Sequence, residues 1–204
     1  MDTAINISFP EMVEIYLVRH GETVSTGTYT GSTDVELSAD GRQQARSLHS
    51  FLYKVHFDHC FCSPLVRCRE TFTLFDVDIE CSFAESLKEI DFGDWEGLRF
   101  DEIKARYPDQ LSEWMRQGED FEFPEGEKIV TFNTRVSEWF DKLLTNDFNR
   151  VLIVAHGGVL RAGICHLLGI QSTRAFAFSP KEGAVSKVIV SDGFGHLEFY
   201  NCRD

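Results

Sequence analysis

The sequence is poor in basic residues, with 20 lysines and arginines against 33 aspartates and glutamates and a formal net charge of -13 at pH 7. A field of that sign repels polyanions, so neither nucleic acid nor an anionic membrane surface is an expected partner. No apolar run approaches the roughly 18 residues that suggest a transmembrane helix. Met1–Pro10 contains Asp2 and no basic residue, unlike a secretory signal. We therefore expect a cytoplasmic protein.

Cysteine pairs with the Cys-x-x-Cys spacing are also missing. The six cysteines all lie in apolar stretches: Cys60, Cys62, Cys68, Cys81, Cys165 and Cys202. In a cytoplasmic chain, this distribution predicts reduced core thiols rather than disulfides or metal ligands. We predict no metal and no cofactor. The 204 residues, 43% of them hydrophobic, suit one α/β domain without internal repeats.

Two apolar segments of the chain each end at a histidine. Ile15–Val18 is followed by Arg19 and His20. Val151–Ala155 is followed by His156. Unbroken apolar runs are typical of strands buried on both faces of a parallel sheet. Ligands of open α/β sheets bind beyond the carboxyl ends of the strands, so we predict that the two imidazoles share one crevice.

A second arginine is predicted to lie at the same edge of the sheet. Ser63 and Pro64 follow a predicted strand and indicate a helix cap with proline at the first helical position, which puts Arg67 in the first helical turn. Residues 24–33 are rich in hydroxyls and glycines, a composition that favours either a solvated turn or a loop that binds an oxyanion. In a chain this acidic, two arginines and two histidines in one crevice predict a dianionic phosphoryl ligand.

The rest of the pattern predicts further helices and strands on either side of these segments. One predicted helix begins after Ser38, which is its N-cap, and two others cover Glu127–Leu144 and Val159–Leu168. Two further short helices in Arg99–Gly126 are predicted to form a lid. The predicted strands are Phe57–Cys62, Val77–Phe83, Phe176–Phe178, Ala184–Val190 and His196–Tyr200, the last two joined as a hairpin.

Histidine can react with phosphorus as well as bind phosphate. A neutral imidazole is a nucleophile that forms phosphohistidine, provided that one ring nitrogen is free and the other donates to a backbone carbonyl. The leaving alcohol also needs a proton from a carboxylic acid. Glu89, in a structured loop, fits this need best, and Asp91 and Glu22 are the alternatives.

Four segments of the chain resemble, in order, the signatures of the histidine phosphatase superfamily: Leu17–Thr23, Cys62–Arg67, Lys88–Gly97 and Ala155–Val159. The resemblance runs from about Glu14 to Tyr200. It implies a phosphoglycerate mutase-like, three-layer α/β/α sandwich with a largely parallel sheet and an antiparallel edge strand. It also implies one domain over residues 1–204, with a lid-like insertion at about 92–126.

The resemblance also implies the roles of five residues. His20 is the phosphorylated nucleophile, and Glu89 is the proton donor and acceptor. Arg19, Arg67 and His156 form the phosphate pocket.

Within the superfamily, three segments are similar to the α-ribazole phosphatase branch of cobalamin synthesis: Gly27–Gly31, Phe92–Glu96 and Pro124–Glu127. The substrate in that branch carries an aromatic base, which aromatic residues of the lid could stack on, although most of them are expected to pack the lid itself. The family commonly has asparagine where this chain has Thr26, whose hydroxyl offers one donor instead of two. The predicted substrate contacts are Thr26, Thr30, Gly31 and Gly157.

The residues and the resemblance together predict a metal-independent phosphomonoesterase that acts on a small phosphorylated substrate. The resemblance implies that this substrate is α-ribazole 5'-phosphate. Two alternatives use the same residues. One is a phosphoglycerate mutase or a broad-specificity sugar-phosphate phosphatase, and the other is a phosphate-binding module without catalysis. The oligomeric state is not predicted.

Overall fold

The computed structural model describes residues 12–203, so the prediction for Met1–Pro10 lies outside the described residues. Its strands are β1 (Met12–Arg19), β2 (His59–Cys62), β3 (Cys81–Phe83), β4 (Arg150–Ala155), β5 (Val185–Ser191) and β6 (Phe194–Cys202). They form one sheet in the order β3-β2-β4-β1-β5-β6. The helices are α1 (Ala39–Ser47), α2 (His49–Leu52), α3 (Val66–Phe75), α4 (Phe100–Arg106), α5 (Pro108–Gln117), α6 (Ile129–Leu143) and α7 (Gly157–Leu167).

Four of the strands are parallel and adjacent. β4 lies between β1 and β2, and the register places Arg19 beside Ala155 and Cys62 beside Val154. β5 runs antiparallel to β1, and β6 returns antiparallel to β5. The β5–β6 hairpin turns at Asp192 and Gly193, whose φ angles of 51° and 79° suit a type I′ turn. The predicted sheet, largely parallel with an antiparallel edge, is confirmed.

Helices cover both faces of the sheet. Ile15 and Leu17 of β1 pack in the hydrophobic cluster that contains residues of α6 and α7. Tyr16 and Val18, which point to the other face, pack with residues of α3. The alternation of β1 therefore separates two cores, and the predicted three-layer α/β/α arrangement is confirmed.

The chain leaves β1 and β4 toward opposite faces of the sheet. After β1 it enters α1 and α2, and Leu52 of α2 packs on the Tyr16 face, as does α3, which follows β2. After β4 it enters α7 on the Ile15 face. Where connections diverge in this way, a crevice opens between the carboxyl ends of the two strands. His20 and His156 are the first residues beyond those ends.

Residues 99–126 contain the two short predicted helices, α4 and α5, followed by a 3-10 turn at Gly118–Asp120. Phe121 and Phe123 are 2% exposed, whereas Phe100 is half exposed at its surface. Tyr107 and Trp114 are partly buried against the same hydrophobic cluster. Most of the aromatic side chains in this segment therefore pack inside the protein. In the described part of the chain, no helix is both long and apolar enough to cross a membrane.

Two local predictions were wrong. Phe176–Phe178 does not form an edge strand, because residues Ser172–Ala177 form a 3-10 helix and the Phe176 side chain is exposed. Ser63 and Pro64 do not cap α3, which begins at Val66. The first N–H of the helix, that of Val66, donates instead to Asp34 Oδ1 at 2.7 Å. Ser63 is buried and is used in the site described next.

Candidate active site

The ring of His20 is fixed by the backbone of the next residue, Gly21. Its Nδ1 lies 2.7 Å from the carbonyl oxygen of Gly21, which can only accept, so Nδ1 carries the proton. Nε2 of the neutral ring is then unprotonated. Burial lowers the pKa of His20 well below its ordinary value, and the charges of Arg19 and Arg67 lower it further. His20 is therefore a neutral imidazole with one available nitrogen lone pair at pH 7.

His156 lies beside His20, with ring centroids 5.1 Å apart. Arg67 Nε donates to its Nδ1 at 3.1 Å, so the proton of the neutral ring is on Nε2, which donates to Ser63 Oγ at 2.7 Å. Both ring nitrogens thus have partners within the protein. Burial lowers the pKa of His156 well below its ordinary value, followed by the charge of Arg67.

Arg67 is a buried cation, 1% exposed, on the first turn of α3. Besides His156, its guanidinium donates to the carbonyls of Thr33 at 3.0 Å and Gly31 at 2.7 Å. No carboxylate within residues 12–203 forms an ion pair with it. A buried charge without a counter-charge is costly, so this position favours binding of an anion.

Arg19 ends β1 and points along the same edge. It donates to Glu182 Oε1 at 3.0 Å and to the carbonyl of Pro180 at 2.9 Å. Its Nε is buried and has no hydrogen-bond partner among the described residues. Burial lowers the pKa of Arg19, and the charge of Glu182 partly opposes this. A buried donor beside two imidazoles is suited to an oxyanion.

Glu89 lies at the N-terminus of α7. Its Oε2 accepts the Gly158 N–H at 2.9 Å, and its Oε1 accepts the N–H of Ile90 at 3.1 Å. A Cβ at position 158 would lie 2.3 Å from Glu89 Oε1, so only glycine permits this approach. The two alternatives are placed elsewhere: Asp91 accepts the Gly93 N–H and Glu22 accepts the hydroxyl of Ser38.

The four predicted substrate-binding residues differ in their surroundings. Thr26 is exposed and donates its hydroxyl to the Thr23 carbonyl at 2.9 Å. Thr30 lies 3.0 Å from the hydroxyl of Thr28. Gly157 is the first residue of α7, and a Cβ there would lie 3.5 Å from the Arg19 guanidinium.

Gly31 is fixed by both of its backbone groups. Its carbonyl accepts from Arg67, and its N–H donates to both carboxylate oxygens of Glu96, at 3.1 and 3.0 Å. The same carboxylate accepts the N–H groups of Ser32 at 2.9 Å and Phe92 at 3.1 Å. One glutamate therefore joins two loops beside Arg67.

A cleft of about 680 Å³ opens on Glu89 and Gly158. This volume suits a ligand of nucleoside size. Its lining is largely apolar and includes the side chains Tyr29, Phe92, Trp114, Met115, Phe123, Ile129, Phe132, Arg161 and Phe176. The proton-donor candidate thus lies between the cationic crevice and an aromatic cleft.

Three contributors to the site were missed at the level of sequence. Ser63 was interpreted as a helix cap but bonds His156. Glu182 pairs with Arg19, and Arg135 donates to the backbone of the Glu89 loop. The one sequence signal for a role of Ser63 in the site is that it is a polar residue at the end of a predicted strand. No local pattern indicates the other two. Across residues 12–203, no three histidine, cysteine or acidic side chains are close enough to hold a metal ion.

Comparison with known proteins gives a family and several relatives. Residues 15–203 match the histidine phosphatase superfamily (branch 1). The adenosylcobalamin/alpha-ribazole phosphatase of Escherichia coli (strain K12) is 30% identical over 196 residues, covering 94% of this chain and 97% of the relative. Phosphoserine phosphatase 1 of Hydrogenobacter thermophilus is 29% identical over 184 residues, covering 87% and 86% of the two chains.

Solved structures agree. The alpha-ribazole phosphatase from Shigella flexneri superimposes with a TM-score of 0.87 at 30% identity, over 93% of this chain and 96% of that one. The resemblance drawn from the four sequence motifs is confirmed, and so is the phosphoglycerate mutase-like fold class. The chain belongs to the histidine phosphatase superfamily and is a phosphatase.

Proposed function

We propose that this protein hydrolyses phosphomonoesters through a phosphohistidine intermediate on His20 and needs no metal ion. The observation that carries the proposal is the bond from His20 Nδ1 to the Gly21 carbonyl, which leaves Nε2 unprotonated in a crevice with two guanidiniums. A neutral imidazole is a competent nucleophile toward phosphorus. Fixed cations stabilise the charge on the transferring phosphoryl group.

The reaction is two transfers on phosphorus. In the first, His20 Nε2 forms a bond to phosphorus while the ester P–O bond breaks, and Glu89 gives its proton to the leaving oxygen. In the second, Glu89 takes a proton from a water whose oxygen attacks phosphorus, and the N–P bond breaks to release inorganic phosphate. His156 orients Arg67 through Nδ1 and borders the phosphate.

Metal independence is supported by the cations that the chain supplies itself. Arg19 and Arg67 would provide the positive charge that a divalent ion provides in other phosphoryl-transfer enzymes. The Gly157 N–H, at the positive end of the α7 dipole, would add a donor. Thr26 and Thr30 are proposed as further contacts. Gly31, whose N–H and carbonyl are both bonded within the protein, would act by holding Arg67.

The proposed substrate is α-ribazole 5'-phosphate. Two observations support it. Relatives named as alpha-ribazole phosphatases match nearly the whole chain, and the cleft beside Glu89 is lined by aromatic rings that suit a flat base. The leaving alcohol would occupy this cleft, because the proton donor must touch its oxygen. A cytoplasmic location and the absence of nucleic-acid partners stay predictions from the sequence.

A substrate screen tests the proposal. The panel contains α-ribazole 5'-phosphate, phosphoserine and 3-phosphoglycerate, each assayed with and without EDTA. We expect the highest kcat/KM for α-ribazole 5'-phosphate, with no change on chelation. A higher value for phosphoserine would overturn the substrate assignment but not the reaction. Rearranged phosphoglycerate instead of inorganic phosphate would favour the mutase alternative.

The intermediate is tested separately. Rapid quenching with phosphorus-32 substrate should trap label that is lost in acid and retained in base, as expected for phosphohistidine, and His20→Ala should trap none. Turnover without any trapped label in single-turnover experiments would count against the covalent route.

A further inference from the structure

The loop that carries Glu89 has little structure of its own. Residues 88–92 form neither helix nor strand. The backbone carbonyls of such a segment need donors from elsewhere in the chain. A general acid must also be aimed within about half an ångström to be effective, so whatever fixes this loop bears on proton transfer.

Arg135, on α6, supplies those donors. Its Nη1 lies 2.9 Å from the carbonyl oxygens of both Ser86 and Lys88, and its Nη2 lies 3.2 Å from that of Glu89. Three carbonyls of one short segment therefore converge on a single guanidinium.

Glu127 fixes the guanidinium in turn. Arg135 Nε and Nη2 donate to its two carboxylate oxygens at 2.8 and 2.9 Å. The backbone N–H of Glu127 donates to the Asp91 carbonyl at 2.9 Å, so the same residue also binds the far end of the loop. The guanidinium lies 4.7 Å from the centroid of the Phe132 ring. We call Arg135 and Glu127 together the loop clamp.

Glu89 is thus held from two helices. α7 binds its carboxylate through the Gly158 N–H, and α6 binds its carbonyl through Arg135. Lysine cannot reproduce the second contact, because a single ammonium lacks the planar fork that reaches a carboxylate and three carbonyls together.

We propose that Arg135 and Glu127 are positioning residues whose role in catalysis is to aim the carboxyl group of Glu89 at the leaving oxygen. This inference rests on the proposed function of Glu89 as proton donor. Neither residue touches the substrate, and both act through the backbone of residues 86–91.

The test uses two phosphomonoesters that differ in their need for a proton. The nitrophenolate of 4-nitrophenyl phosphate leaves unprotonated, whereas the alcohol of benzyl phosphate needs a donor. We compare kcat/KM, which reports only steps up to phosphorylation of the enzyme. Arg135→Lys and Glu127→Gln should each lower kcat/KM for benzyl phosphate by about 30-fold and for 4-nitrophenyl phosphate by less than about 3-fold.

A matched control comes from the opposite end of the sheet. Arg150 and Glu14 form another partly buried ion pair, with side-chain exposures of 35% and 15% against 25% and 17% for the clamp. Arg150→Gln should change kcat/KM for both substrates by the same small factor. An equal loss on both substrates in Arg135→Lys would overturn the inference.

A double variant separates positioning from general destabilisation. If the clamp acts through Glu89, adding Arg135→Lys to Glu89→Gln should lower kcat/KM for benzyl phosphate by less than 3-fold more, since coupled residues are not additive. A further 30-fold loss would refute the inference. If the unaltered protein hydrolyses neither ester, or Glu89→Gln lowers both equally, the proposed function itself fails.

Discussion

The two histidines at the carboxyl edge occupy nearly equivalent places and are bonded in opposite ways. His20 follows β1 and His156 follows its parallel neighbour β4, and both are buried. His20 uses one nitrogen on a backbone carbonyl and leaves the other unprotonated. His156 uses both, on Arg67 and Ser63.

Position in the fold therefore does not decide chemistry, whereas the hydrogen bonds around each ring do. A carbonyl beside Nδ1 selects the tautomer with an available Nε2, the form that a nucleophile requires. An arginine N–H beside Nδ1 selects the other tautomer and makes the ring an orienting group.

The difference between the two histidines predicts that His20→Ala has the largest effect on the rate of hydrolysis. Loss of the nucleophile should lower kcat by about 10⁴-fold or more and abolish trapped phosphoenzyme. Steady-state hydrolysis of benzyl phosphate and phosphorus-32 trapping measure the two effects. Retention of kcat within tenfold would contradict the assignment of His20.

His156→Gln should cost less, about 10²-fold in kcat/KM, if His156 orients Arg67 as proposed, since loss of one transition-state donor costs about 10²- to 10³-fold in rate. Labelled phosphoenzyme should still accumulate on His20, as peptide mapping under basic conditions would show. Loss of labelling equal to that in His20→Ala would break the distinction between the two rings.

The free energy of unfolding should depend on pH because burial lowers the pKa of both rings. Both have folded-state pKa values below the ordinary 6.5, so as the pH falls below 6.5 the unfolded chain takes up protons first and stability is lost. Each ring contributes a slope of up to about 1.4 kcal/mol per pH unit below that point. Urea unfolding at pH 7.5, 6.5 and 5.5 measures it.

The matched variant for this experiment is His20→Gln, which should have about half the slope between pH 6.5 and 5.5. Equal free energies of unfolding at pH 7.5 and 5.5 in the unaltered protein would contradict a lowered pKa for both rings.

The smallest effect is expected for Ser63→Ala. His156 keeps its bond to Arg67 and loses only the acceptor for Nε2, so kcat/KM should fall by about 3- to 10-fold. Steady-state kinetics with benzyl phosphate tests this, and Ser63→Thr, which restores a hydroxyl, is the control. A loss as large as that of His156→Gln would mean that Ser63, not Arg67, determines the orientation of the His156 ring.

Much of the site was predictable because it lies at the ends of buried strands. The apolar runs before His20 and His156 fix two parallel neighbours, and a helix begun just after β2 brings Arg67 to the same edge. The free nitrogen that phosphohistidine chemistry requires was expected, and the Gly21 carbonyl provides it.

The remaining contacts were not predictable from local pattern. Ser63 meets a histidine 93 positions away, and Arg135 meets the Glu89 carbonyl 46 positions away. Such pairs depend on how the helices pack, and a serine before proline has a simpler local interpretation as a cap. The strand predicted at Phe176–Phe178 was wrong for a different reason: the apolar Phe176 is exposed beside the cleft on a 3-10 helix rather than buried in a sheet.

The mouth of the cleft and the crevice at the strand ends are built from different stretches of chain. Met115 and Phe176, 72% and 74% exposed, lie on segments that contribute no strand to the sheet. Their replacement alters the cleft mouth while the strand ends stay intact. Directed evolution toward phosphomonoesters of a different alcohol can therefore begin with a combinatorial library at these two positions, because the residues proposed to bind and transfer the phosphoryl group stay unchanged.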